Sequence, residues 1–201
     1  MATPTTKAPP VRRPEAQEIP REQRMVSART PGPLAMVIFG ATGDLTRRKL
    51  MPALFHLFSH GLIPRCFAIV GFAREAFSDD DFRERMLAAV REFDGEPDAE
   101  LWGRFAQRLY YVGSVFEDPE GFLRLDQRLK QIDEECGTAG NRLYYMATPP
   151  TVVAQVGEHL ARAGLIHEPG GKEWTRIIVE KPFGRDLESA RALNRELHRV
   201  F

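Results

Sequence analysis

An α/β fold with a parallel sheet follows from three features of the sequence. Apolar runs of strand length alternate with segments of helical period from Leu34 onward. A glycine turn, Gly40-Ala41-Thr42-Gly43, follows the first such run, and a second compact block, Glu180-Lys181-Pro182-Phe183-Gly184, follows the last. Strands that alternate with helices pair in parallel, and the turns at their carboxyl ends are where such sheets bind ligands.

Leu34 to Phe39 is continuously apolar and reads as a buried strand; after the glycine turn, Leu50, Ala53, Leu54, Leu57 and Phe58 recur at helical spacing. Gly61 and Pro64 stop that helix, and Cys66 to Val70, ending at Gly71, completes a βαβ unit whose crossover is expected to be right-handed. Asp79 to Phe93 reads as helix, Leu109 to Val112 as strand, Phe122 to Ile132 as helix and Leu143 to Ala147 as strand. Thr151 to Ala163 is expected as helix, Arg176 to Val179 as a fifth strand and Leu187 to Val200 as a final helix. This is the pattern of a Rossmann-like, doubly wound sheet.

Residues 1–33 hold seven of the fifteen prolines and almost no large apolar side chains, so a disordered tail is expected there and a folded domain over 34–201. Lys plus Arg and Asp plus Glu balance at 28 each, which leaves no electrostatic footprint for nucleic acid or an acidic membrane surface. Cys66 and Cys136 form no C-x-x-C pair, and no run approaches the length of a membrane-spanning helix. Packing cysteines, no metal site and a cytoplasmic address are the expectations.

The first turn carries chemistry. Gly40 permits a tight bend and Gly43 lets backbone amides approach a diphosphate at a helix N-terminus. Asp44 is read as the cap of that helix, with a ligand contact as the alternative. The G-x-x-G spacing is weaker evidence for a dinucleotide than G-x-G-x-x-G; its place inside a βαβ unit strengthens it. At the end of the second strand an acid would accept hydrogen bonds from a free ribose, but the chain offers Gly71-Phe72-Ala73-Arg74. The Arg74 guanidinium suits a 2′-phosphate and so favours NADP over NAD, unless Glu75 holds it in a surface ion pair. Arg47, Arg48 and Lys49 read as solvated charges on an exposed helix face.

Four blocks in this order, G-A-T-G-D-L-T (40–46), V-G-F-A-R (70–74), Y-Y-M-A-T-P-P (144–150) and V-E-K-P-F-G (179–184), resemble the glucose-6-phosphate dehydrogenase family over roughly Pro31 to Phe201. The resemblance implies NADP as cofactor and oxidation of glucose 6-phosphate to 6-phosphogluconolactone, the first step of the oxidative pentose phosphate pathway. Gly40, Thr42, Gly43, Asp44, Leu45, Arg74, Tyr145 and Lys181 then form the cofactor set. Lys181 also binds the sugar unless it pairs structurally with Glu180, while Tyr145, Ala147 and Pro149 line the nicotinamide half unless Tyr145 is only packing.

The sequence departs from the family pattern in two ways. Thr46 stands where the family more often has alanine. The family's sugar-phosphate block and the α+β domain that supplies its general-base histidine are expected to be absent here, and none of His56, His60, His159, His167 or His198 lies in a matching motif. The expectation is the N-terminal part of a longer, homo-oligomeric enzyme, or else a fragment that binds NADP without turnover.

Overall fold

The computed structural model describes residues 31–167 and 170–201, so the tail expected over 1–33 lies outside the described residues as far as residue 30. Five strands, β1 (Leu34–Phe39), β2 (Phe67–Ala73), β3 (Leu109–Gly113), β4 (Arg142–Met146) and β5 (Thr175–Val179), form one sheet in the order β3-β2-β1-β4-β5. Every neighbouring pair is parallel: Met36 on β1 lies opposite Ile69 on β2 and Leu143 on β4. The strand order reverses at β1, which opens a crevice beyond the carboxyl ends of β1 and β4.

One face of the sheet is covered by α1 (Met51–Ser59), α2 (Asp79–Asp94) and α3 (Ala99–Ala106); the other by α4 (Pro119–Cys136), α5 (Pro150–Arg162) and α6 (Leu187–Leu197). β1 and β2 are buried on both faces, as parallel strands flanked by helices should be. On the α4–α6 face the fully buried Phe39 ring lies 5.1 Å from Phe72, 6.1 Å from Phe122 and 6.1 Å from Tyr144. Such aromatic pairs add about 0.5–1.5 kcal/mol each beyond their buried area. On the opposite face Phe55, Trp102 and Phe105 close over Ile69 and Leu109.

Local chemistry sets the helix ends. The Ser78 hydroxyl accepts from the Asp81 amide at 3.1 Å while the Asp81 carboxylate accepts from the Ser78 amide at 2.9 Å, a capping box that starts α2. Pro119 follows the Asp118 cap of α4, and Gly137, in the left-handed region, ends it. At the foot of β4, Asp133 of α4 accepts from both Arg142 and Thr138 and from the Gly140 amide. Burial pushes the Asp133 carboxyl up, but the hydrogen bonds from Arg142 and Thr138 and the guanidinium charge outweigh it and hold the group below the ordinary carboxylate value.

Several elements differ from the sequence reading. The segment after the glycine turn opens with a π-helical stretch, Thr46–Leu50, before α1 begins. Helix α3 was not expected at all. β2 starts at Phe67 rather than Cys66, β4 spans Arg142–Met146 rather than Leu143 to Ala147, and α6 ends at Leu197. Asp44 does not cap the first helix: the Arg47 amide donates to the Gly43 carbonyl at 3.1 Å, placing Asp44 inside the first turn, where its exposed carboxylate meets Arg48 at 3.4 Å.

Candidate functional site

The glycine turn is shaped by contacts that leave no room for a side chain. Gly40 has φ +81°, and a Cβ there would lie 2.5 Å from the Ala147 carbonyl oxygen, so β1 and β4 splay around bare backbone. The Gly40 amide donates to Phe72 O and the Gly43 amide to Gly40 O, both at 2.9 Å. Thr46, fully buried, donates its hydroxyl to Gly40 O at 3.3 Å, so the residue that departs from alanine braces the turn.

Beyond this turn lies a cavity of about 370 Å³ at the carboxyl ends of β1 to β4, lined in part by Gly40, Thr42, Gly43, Arg74, Ser114 and Thr148. The Thr42 hydroxyl donates to the Glu75 carboxylate at 3.0 Å and ties the glycine turn to the end of β2. Glu75 is therefore engaged by Thr42, and among the described residues Arg74 has no carboxylate partner. The backbone beside Arg74 is held by Tyr111, whose hydroxyl donates to Ala73 O at 3.1 Å and Glu75 O at 2.8 Å. Burial pushes the Tyr111 hydroxyl's pKa upward, so it stays a donor.

The Glu180–Gly184 block follows the end of β5. Tyr145 is buried, and its hydroxyl donates to the Glu180 carboxylate; burial, then that bond, push its pKa up to about 12. Glu180 is thus tied to Tyr145, and Lys181 is exposed, with no carboxylate partner among the described residues. The Lys181–Pro182 peptide is cis. A second cavity of about 600 Å³ meets the first at Pro149 and is lined in part by Thr151, Pro182, Arg185 and Ser189. The Asp186–Ser189 capping box fixes the start of α6 beside it.

The structure therefore brings Gly40, Thr42, Gly43 and Arg74 to one cavity. Asp44, Leu45, Tyr145 and Lys181 lie outside that cavity's lining: Leu45 packs against the α1–α3 core, and Tyr145 turns to Glu180. Arg47 pairs with Glu92 at 3.1 Å, away from the cavity. Sequence reasoning missed Thr148, whose buried hydroxyl has no hydrogen-bond partner in the protein although it lines the cavity. The bare glycine cradle and this orphaned hydroxyl both fit a polar, phosphate-bearing occupant.

No histidine lines either cavity: His56 meets Asp94, His167 meets Glu173, and the buried His159 stacks on Phe122 at 4.9 Å. Among the described residues no cluster of His, Cys, Asp or Glu could hold a metal, and no helix is long and apolar enough to cross a membrane.

Comparison with known proteins agrees with this geometry. The chain is 46% identical over 170 residues to a glucose-6-phosphate 1-dehydrogenase of Chlamydia pneumoniae, covering 83% of this chain and 33% of that protein. It is 43% identical over 182 residues to glucose-6-phosphate 1-dehydrogenase 2 of Mycobacterium bovis, covering 90% and 35%. The crystal structure of the Mycobacterium avium glucose-6-phosphate 1-dehydrogenase superposes with TM-score 0.72 at 32% identity, over 84% of this chain and 34% of that one. A glucose-6-phosphate dehydrogenase solved with its substrate glucose 6-phosphate superposes with TM-score 0.74 at 30% identity, over 87% and 36%. The chain thus spans about a third of the length of the relatives it matches. Because the sequence model for "Glucose-6-phosphate dehydrogenase, NAD binding domain" matches residues 37–201, this chain belongs to the glucose-6-phosphate dehydrogenase family, in its nicotinamide-dinucleotide-binding part.

Proposed function

We propose that this chain binds NADP in the crevice beyond β1, β2 and β4 and is the coenzyme-binding part of an enzyme that oxidises glucose 6-phosphate to 6-phosphogluconolactone in the cytoplasm. The observation that carries the cofactor choice is Arg74. It lines the cavity at the end of β2, where the ribose of a dinucleotide lies in this fold, and the neighbouring carboxylate is engaged by Thr42. A guanidinium with no carboxylate partner among the described residues suits a 2′-phosphate, whereas an acid at this place would suit a free ribose. Gly40 and Gly43 leave room for the diphosphate at the start of the first helix, and Thr148 supplies an uncommitted hydroxyl.

The substrate follows from the relatives' names and from Lys181. With Glu180 held by Tyr145, the Lys181 ammonium is left to meet the sugar hydroxyls beside the second cavity. When bound, the nicotinamide accepts a hydride from C1 of the sugar. The C1 hydroxyl must also lose its proton, and neither cavity contains a histidine to take it. This favours a second reading for the chain taken by itself: an NADP-binding module that does not turn over.

Calorimetric titration with NADP and NAD tests the cofactor choice. Arg74→Ala is expected to weaken NADP binding by about 1.5–3 kcal/mol, the scale of a lost charged hydrogen bond, while sparing NAD. Equal losses for both coenzymes would remove the phosphate role. Assaying glucose 6-phosphate oxidation by this chain separates enzyme from module.

A further inference from the structure

Arg47, Arg83, Arg91, Arg124, Arg128 and Arg142 each meet a carboxylate. Arg65, Arg104 and Arg108 are different: they line one cavity of about 300 Å³ at the amino ends of β2 and β3, far along the sheet from the coenzyme crevice. No Asp or Glu lines that cavity, and among the described residues none of the three makes an ion pair.

Their placement is built. Arg108 donates through Nη1 to Arg65 O at 2.7 Å and to Phe67 O at 3.2 Å, which fixes its guanidinium and leaves its remaining N–H groups for another acceptor. The Arg104 and Arg108 guanidinium groups both lie over the Phe58 ring, at 6.0 and 5.3 Å from its centroid. An aromatic face attracts a cation but neutralises no charge, so two guanidinium groups sharing one ring, with a third beside them, still repel one another. A multiply charged anion relieves that repulsion and accepts from several forks at once.

We propose that this cavity is a second anion-binding site, taking a small phosphorylated molecule with at least two negative charges, such as a diphosphate or a phosphate ester. The cavity's size is that of a small-ligand pocket, and the balanced charge of the whole chain argues for a small ligand over a nucleic acid. The site is separate from the glycine turn, so it is filled without displacing the coenzyme.

Cys136 lines the same cavity and reports on it. The experiment is alkylation of the protein by iodoacetamide with NADP saturating the crevice, in the presence and absence of inorganic pyrophosphate. Peptide mapping reads Cys136 and Cys66 separately. Pyrophosphate is expected to slow alkylation of Cys136 about tenfold, with sodium chloride at matched ionic strength giving no such protection. The exposed pair Arg65→Ala and Arg104→Ala, made together, should abolish the protection while leaving NADP affinity and thermal unfolding unchanged; Arg65→Lys with Arg104→Lys should retain part of it. Unaltered alkylation with pyrophosphate, equal protection by chloride, or protection that survives the alanine pair would each overturn the proposal. If the alanine pair fails to fold, protection of the unmodified chain and its chloride control still decide.

Discussion

The two halves of the sheet face that meets α1, α2 and α3 are finished differently. Over β1, β2 and β3 that face is sealed: Met36, Ile38, Ile69 and Leu109 are all buried beneath the helices. Over β4 it is still covered, with Tyr145 buried, and over β5 it lies open. Strand β5 alternates, with Ile177 and Val179 packed toward α5 and α6 while Arg176 and Ile178 face outward, Ile178 39% exposed. Arg176 covers part of this face only by lying over Trp174, 4.4 Å from its ring. A parallel strand is usually apolar on both sides because both sides are covered; β5 shows that the same fold can have strands of very unequal worth to stability.

Substitutions can break or sharpen that contrast. Phe39→Ala, which empties the sealed core on the other face of β1, should cost about 3–5 kcal/mol in a denaturant melt. Asp133→Asn ranks next, since it leaves Arg142, whose side chain is 5% exposed, without its carboxylate; a loss of about 3 kcal/mol is expected. That same pair sets a pH dependence. The Asp133 carboxyl is lowered in the folded chain, so its contribution is fully present above the unfolded value of about 4 and is lost as pH falls through the lower, folded value. The Asn variant should therefore show a shallower loss of stability on acidification, measured as unfolding free energy between neutral and acid pH; an unchanged slope would assign the acid limb to other carboxylates. Smallest of all, Ile178→Ser on the open face should shift stability by less than about 1 kcal/mol. A cost near that of Phe39→Ala would mean that the face is covered after all.

The same contrast explains what could be read from the sequence. Continuous apolar runs such as Leu34–Phe39 announce strands sealed on both sides, and β1 was legible to the residue. Helix α3 was not, because eight residues interrupted by Gly103 give too short a window; its signals were the Asp98 cap, which accepts from the Leu101 amide at 2.8 Å, and the spacing of Leu101, Trp102 and Phe105. The π-helical stretch after the glycine turn has no residue signature that distinguishes it from an α-helix. In the site, the glycines and Arg74 announce themselves by strand-end position. The bonds that aim them do not: Thr42 finds Glu75 33 residues away, and Tyr111 finds Ala73 38 residues away, pairings that exist only once β1, β2 and β3 are side by side.

The central place of β1 has a consequence for how the chain is made. Its partner β4 is distant: Asn141, just before β4, donates to the Pro33 carbonyl across 108 residues of sequence. A ribosome therefore releases β1 and β2 long before β4 exists, and throughout that interval Leu-Ala-Met-Val-Ile-Phe stands as an unpaired apolar edge, the composition most prone to pairing with another chain. Nascent chains ending short of Arg142 should accumulate on chaperones or aggregate, and their release should begin when β4 emerges.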